Sequence, residues 1–210
     1  MQAVKTRIRD ADATRARILA AAKAEFARLG LGGARVDEIA EKAHANKRMI
    51  YHYFGSKEDL FAAVLEDAYL DIRSAEQTLQ LDDLPADEAM IKLITFTWDY
   101  YLENPEFIRL VNSANLHQGK HLERSEKLKA ASRQYIGLVQ SLLDRGVNES
   151  KFRDGIDAVQ LNITIAAIGY YYLTNRFSGE ILFERDYMTQ AALDARLAFN
   201  IETIMRLILL

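Results

Sequence analysis

The chain has 210 residues, half of them hydrophobic, with two prolines and no cysteine, and a formal net charge of −3. The absence of cysteine excludes disulfides, thiolate chemistry and cysteine-ligated metals. No apolar run approaches the ~18 residues of a membrane span, and the polar, charged N-terminus carries no signal-peptide pattern, so no membrane association and a cytoplasmic location are expected. Residues 1–60 hold 12 Lys and Arg against 8 Asp and Glu, whereas residues 61–210 hold 15 against 22. The small net charge therefore hides a basic head on an acidic body, and a basic head suits a polyanion. Ala, Leu, Ile, Glu, Lys and Arg dominate and strand-type alternation is scarce, which predicts an all-α fold.

In chain order, residues 1–11 read as a short arm carrying Lys5, Arg7 and Arg9, either a segment that follows the DNA backbone or a solvated tail. A helix is predicted over 14–29, with Ile18, Ala22, Phe26 and Leu29 as its buried stripe and Gly30 as its end. A short helix follows, in which Val36, Ile39, Ala40 and Ala43 form one apolar face and Asp37 and Glu38 suit the positive end of the helix dipole. His44 falls in the turn at a position of positive φ, and Asn46 is an N-cap for the next helix. In that helix Ile50 and Phe54 point inward, which leaves Lys47, Arg48, Tyr51 and His52 outward and Tyr53 at the edge. Ser56 to Asp59 is a capping box that opens a longer helix, to about Gln80, with Leu60, Phe61, Val64 and Leu65 buried. Two short helices joined by a tight turn, the second one cationic, form the layout of a helix-turn-helix, whose second helix enters the DNA major groove.

The remainder reads as further helices without a Pro/Gly/Ser-rich linker. Pro85 opens one with Ile91, Ile94, Thr95, Trp98 and Tyr101 or Leu102 on its apolar side. Asn104-Pro105 restarts the chain as a short helix over 105–111, and a loop is predicted around Ser113 to Gly119. A long helix from Leu122 to about Asp144 precedes a loop from Gly146 to Gly155. Two last helices are predicted over about 157–177 and 186–209. Their apolar surface is too wide for a single core-facing stripe.

The Gly30–Ala34 turn, Ile39-Ala40 and the run Ile50-Tyr51-His52-Tyr53-Phe54-Gly55-Ser56-Lys57-Glu58-Asp59-Leu60 resemble the tetracycline-repressor (TetR) family of bacterial one-component regulators. The last run is similar to the family signature L-Y-x-[HY]-F-x-S-K-E-x-L. The motif resemblance covers residues 12–65; beyond them it rests on length and helix pattern. Two departures stand out: His44 replaces a turn glycine, and Arg35 stands where a capping Thr or Ser is common, trading a cap for a cation close to phosphate. The resemblance implies an N-terminal three-helix DNA-binding domain, residues 1–57, and a C-terminal effector-binding and dimerisation domain, residues 58–210. It also implies that the last two helices of each monomer build a four-helix homodimer interface, with Ala166, Ala167, Tyr170, Ala191, Ala195, Ala198, Phe199 and Met205 as candidates. The other reading of these helices is the centre of a monomeric core. A two-fold dimer places two reading helices one DNA turn apart on a near-palindromic operator.

The expected contacts with double-stranded operator DNA come from Arg35, Asn46, Lys47, Arg48, Met49, Tyr51, His52, Tyr53 and Lys57. Lys47 and Arg48 open the reading helix, and both types pair with guanine O6 and N7. Tyr53 and Lys57 suit phosphates. Tyr51 serves equally for DNA contact or for packing, and Met49 offers only apolar contact. A small aromatic or amphiphilic effector is expected against Trp98, Tyr101, Phe107, Asn112, His117, Tyr135, Tyr171, Asn175 and Phe177, although each aromatic also fits an ordinary core position. His117 and His121 have the i, i+4 spacing of a metal pair, with Glu123 nearby, but Gly119 between them argues against a helix. No catalytic constellation and no cofactor motif stands out, so no enzyme is expected. The reading is a ligand-responsive repressor. The alternatives are a regulator of the same fold that answers to a protein partner or activates, and a helical enzyme or carrier whose basic head is incidental.

Overall fold

Helix-forming residues with few breakers give ten α-helices among the described residues, where the β-type pairing recorded is an isolated antiparallel bridge between Phe152 and Leu209. This computed structural model describes the backbone of residues 2–210 and the side chains of residues 11–210, so Lys5, Arg7 and Arg9 of the expected arm lie outside the described side chains. The helices are α1 (Gln2–Gly33), α2 (Val36–Lys42), α3 (Lys47–Phe54), α4 (Lys57–Gln77), α5 (Ala86–Glu103), α6 (Pro105–Leu116), α7 (Glu126–Asn148), α8 (Ala158–Thr174), α9 (Arg176–Phe183) and α10 (Gln190–Ile208). The all-α expectation holds. The chain divides into two compact units, Met1–Leu70 with Pro105–Leu128, and Asp71–Asn104 with Lys129–Leu210.

In the first unit the predicted stripes meet. Ile18, Phe26, Ile39, Ile50, Leu60 and Phe61 are fully buried, and the rings of Phe26 and Phe61 meet edge to face at 5.0 Å. Gly30 interrupts α1 at φ 66°, a conformation a Cβ would strain. The kink redirects the chain, so Leu31 takes the buried place expected of Leu29, which stays 40% exposed. The Leu31 N–H released by the kink donates to Ser113 Oγ at 3.2 Å. Ser113 lies in α6 rather than in the predicted loop, because Phe107, Leu110 and Ala114 form a buried i, i+3, i+7 stripe that carries the helix to Leu116. Residues 117–124 form turns, with Gln118 and Gly119 at positive φ, so α7 starts at Glu126 rather than at Leu122.

Glu25 is the buried charge of this unit. Its carboxylate accepts from Lys42 Nζ at 2.6 Å and from Arg28 Nη2 at 3.0 Å, joining α1 to α2. The Lys42 hydrogen bond, helped by Arg28, holds the carboxyl below its ordinary range against the opposing effect of burial. A lowered folded-state value stabilises the fold above the unfolded carboxyl's pKa, and that stabilisation is lost as pH falls through the folded value. Glu25→Gln is expected to cost about 1–2 kcal/mol at neutral pH. Urea unfolding along a pH series should show the gap to wild type closing in acid, and a gap independent of pH would contradict the assignment.

In the second unit Met90, Leu93 and Ile94 of α5 pack with Val139 and Leu142 of α7, Leu161 and Ile165 of α8, and Ile204 and Ile208 of α10. The helix α7 continues past its predicted end at Asp144 because Gly146 does not break it. Gly146 provides a flat for the Phe152 ring, and a Cβ there would lie 1.9 Å from Phe152 Cδ2. The N-terminus of α5 has no side-chain cap of its own, and Glu149 supplies one by accepting the Ala86 N–H at 3.0 Å. The segment predicted as one helix over 157–177 ends at Thr174, and α9 follows as a separate helix. The helix α10 starts at Gln190 rather than near 186, with Thr189 Oγ1 accepting from the Ala192 N–H as its cap. Because the ring of Phe152 cannot yield without leaving the core, Gly146→Ala is expected to destabilise the protein by about 1–3 kcal/mol. Chemical denaturation would measure the loss, and an unchanged midpoint would contradict the packing.

Candidate nucleic-acid interface

The turn between α2 and α3 is built as its residues require. His44 adopts φ 48°, the left-handed region that a turn glycine would occupy without strain. Asn46 Oδ1 accepts from the Met49 N–H at 2.9 Å and caps α3. Beyond α3, Gly55 turns the chain at φ 89°. Ser56 Oγ then accepts the Asp59 N–H at 3.0 Å and donates its own proton to the Asp59 carboxylate at 2.6 Å, so the box closes side chain to side chain. Ile50 is fully buried and anchors α3 from below. Phe54 is half-buried, with the Arg15 guanidinium 5.0 Å from its ring centre.

These contacts leave one face of α3 outward. Lys47, Arg48, Tyr51 and His52 are exposed, Tyr51 to 46%. Met49, Tyr53 and Lys57 are half-buried beside them, and the His52 and Tyr53 rings meet edge to face at 5.4 Å. Arg35 is exposed at the start of α2 and makes no side-chain cap there. Asn46 is exposed too, with its side-chain oxygen committed to the cap. Lys47 Nζ rests 2.6 Å from Asp37 Oδ1 in a solvent-exposed pair. A phosphate or base edge can replace such a partner at little cost, since exposed pairs contribute about 0–1 kcal/mol.

The residues expected to meet an effector fall in both compact units. In the first, Phe107 is buried with its ring 5.3 Å from that of Tyr69, Asn112 is exposed, and His117 is half-buried. The rings of His117 and His121 lie 5.9 Å apart, and His121 also packs edge to face on Phe61 at 5.1 Å. Burial, then the neighbouring His117, pulls the His121 pKa down. The pair sits in turns rather than on a helix, and no cluster of three metal-ligating side chains exists among the described residues.

In the second unit Trp98, Tyr101 and Tyr135 are buried, Tyr171 and Phe177 are exposed, and Asn175 is half-buried at the C-terminus of α8. Gly169 faces Trp98 and Tyr101, which lie 3.4 and 3.5 Å from where its Cβ would be, an ordinary van der Waals distance. Sequence reasoning missed the polar group beside Tyr135. The Arg73 guanidinium lies 3.9 Å from the Tyr135 ring centre and 2.9 Å from Glu76 Oε2, while the Tyr100 hydroxyl donates to Asp71 at 2.9 Å. Glu76 continues the buried stripe Phe61, Leu65, Ala68, Ile72, so a carboxylate in register with that stripe was the available signal. Of the candidate dimer residues, Ala167, Ala191, Ala195, Ala198 and Phe199 are exposed, Phe199 to 59%, and Ala166 and Tyr170 are half-buried. Met205 instead packs into its own unit's core beside Ile204 and Ile208.

Burial pushes the Glu76 pKa up to about 8, outweighing the attraction of Arg73. The folded state then keeps a proton that the unfolded chain releases, so stability falls as pH rises between about 4.5 and 8. Glu76→Gln, neutral at every pH, is expected to flatten that decline and to be more stable than wild type at about pH 9. Thermal unfolding across the range checks this, and parallel curves for the two proteins would contradict it.

The model of the tetracyclin repressor-like C-terminal domain matches residues 87–204, and that of the bacterial regulatory proteins of the tetR family matches residues 18–64. The HTH-type transcriptional repressor NicS of Pseudomonas putida is 41% identical over 178 residues, covering 84% of each chain. The HTH-type transcriptional repressor SCO4008 of Streptomyces coelicolor is 38% identical over 162 residues, covering 76% of this chain and 78% of its own. Among solved structures, SCO4942 of Streptomyces coelicolor superposes with a TM-score of 0.70 at 29% identity, over 93% of this chain and 98% of that one. With a capped reading helix in one half and family matches across both, the chain belongs to the TetR family of helix-turn-helix transcriptional regulators.

Proposed function

We propose that this protein is a cytoplasmic repressor that binds a near-palindromic operator as a homodimer and changes its DNA affinity when a small molecule occupies the C-terminal domain. The observation that carries the reading is the outward face of α3, with Lys47, Arg48, Tyr51 and His52 exposed over the buried anchor Ile50. Residues 1–57 act as the DNA-binding domain and residues 58–210 as the effector and dimer domain, with no catalytic step in either. Lys47 and Arg48 read base edges, and Arg35, Tyr53 and Lys57 hold phosphates. Asn46, Met49, Tyr51 and His52 complete the contact. The exposed alanines of α8 and α10, with Phe199, pair with a second copy, an arrangement supported by the apolar surface left uncovered there.

Fluorescence anisotropy on the intergenic DNA beside the protein's own gene tests this reading. A palindrome within it should bind far more tightly than random DNA, with an affinity that weakens steeply as salt is raised. Lys47→Ala with Arg48→Ala should lower specific affinity by about tenfold to several hundredfold while the protein stays folded. Full retention of specific binding by that double variant would overturn the assignment of α3 as the reading helix.

A further inference from the structure

The helices α8, α9 and α10 and the segment before α10 border a partly open cleft of about 230 Å³ within the second unit, lined among others by Tyr171, Tyr172, Asn175, Phe183, Tyr187 and Arg196. Its wall is a pair of stacked rings: Tyr172 and Tyr187 lie 4.5 Å apart at 16°, and the Tyr172 hydroxyl donates to the Tyr187 carbonyl at 3.0 Å. Gly179 makes room for this stack, since a Cβ there would lie 2.8 Å from the Tyr187 hydroxyl. None of the lining side chains is among those assigned to the dimer face.

Arg196 is the one cation among the described residues that line the cleft, and none of the described carboxylates forms an ion pair with it. Its guanidinium lies 5.2 Å from the Tyr172 ring centre and 5.5 Å from that of Phe199, and Nη2 donates to the Ile168 carbonyl at 2.9 Å. Its Nε is buried and makes no hydrogen bond. Burial pulls its pKa down. The acids beside Tyr172 are engaged elsewhere: Glu180 accepts the Tyr187 N–H at 3.4 Å, and Asp186 accepts the Met188 N–H at 2.8 Å. A half-buried guanidinium without a counter-ion is an unfavourable arrangement that a bound anion relieves. Arginine offers a flat fork to a carboxylate, and the stacked tyrosines offer flat apolar surface to whatever carries it.

We propose that this cleft binds a small planar aromatic carboxylate, with Arg196 as its counter-ion and the Tyr172–Tyr187 stack as its wall. The assignment deepens the effector reading above and rests on it.

Trp98 is the only tryptophan of the chain, and its ring meets that of Tyr172 at 5.7 Å, so its emission reports on the cleft. The protein is titrated with benzoate, with the neutral isostere benzamide and with acetate, which lacks the ring. Benzoate should give a saturable change in emission, and the other two should bind about tenfold more weakly or worse. Arg196→Met should weaken benzoate by a similar factor, and Arg196→Lys, which restores the charge, should recover part of it. An emission change that does not saturate, equal binding of benzoate and benzamide, or an Arg196→Met protein that binds benzoate as wild type does would each overturn the proposal. If the variants fail to fold, the benzoate–benzamide comparison on the wild-type protein decides alone. Specific DNA binding by wild-type protein without benzoate tests the regulator reading separately, so the two failures remain distinct.

Discussion

An eight-residue helix such as α3 cannot stand alone in water, because nucleation costs more than so few hydrogen bonds return. The geometry of the reading face depends on what holds α3 in place. Ile50 is fully buried beneath it, Asn46 closes its first turn, and Gly55 and the Ser56–Asp59 box turn the chain into α4. With both ends fixed, the side chains on the outer face present cations and rings from a rigid base. Rigidity matters to recognition because side chains that are already placed lose less conformational freedom on meeting DNA.

The same logic explains where charge is buried. Glu25 in the first unit is buried with two half-exposed cations on its oxygens, and it ties α1 to α2. Glu76 in the second unit has Arg73 alone, and burial keeps its proton near neutral pH. Arg196 has no paired carboxylate among the described residues and rests on aromatic faces and a carbonyl. Glu25 is a compensated charge, Glu76 avoids the cost of burial by keeping its proton, and Arg196 is a cation without a paired carboxylate. Of the three, only Arg196 lies within residues 87–204, which the C-terminal domain family matches.

The DNA-reading half was largely legible in the sequence because its signals are local. The stripe of α1, the left-handed turn residue, the N-cap and the capping box each act within a few residues of where they are read. The errors lie where a distant residue decides. Gly146 reads as a helix breaker, yet it lies inside α7 because Phe152 covers it. The helix α9 was not read from the sequence, and it contains Gly179, where a Cβ would lie 2.8 Å from the Tyr187 hydroxyl. Leu29 and Leu31 exchange places because Gly30 redirects the chain between them. Met205 entered the candidate interface as part of the wide apolar surface of the last helix and the dimer that the resemblance implies, and the packing of α10 places it in the core of its own unit. Aromatic composition suggested an effector region, but the exposed Asp71, the half-buried Arg73 and the buried Glu76 meet Tyr100 and Tyr135 only because of how α4 turns against α5 and α7.

The central claim is that the outward face of α3 is where this regulator meets its operator. Hydrogen–deuterium exchange of the protein with and without operator DNA tests it most directly. Added protection should concentrate in residues 44–57, spanning the turn, α3 and the start of α4. Operator binding that leaves this segment unprotected while protecting another surface would contradict the account.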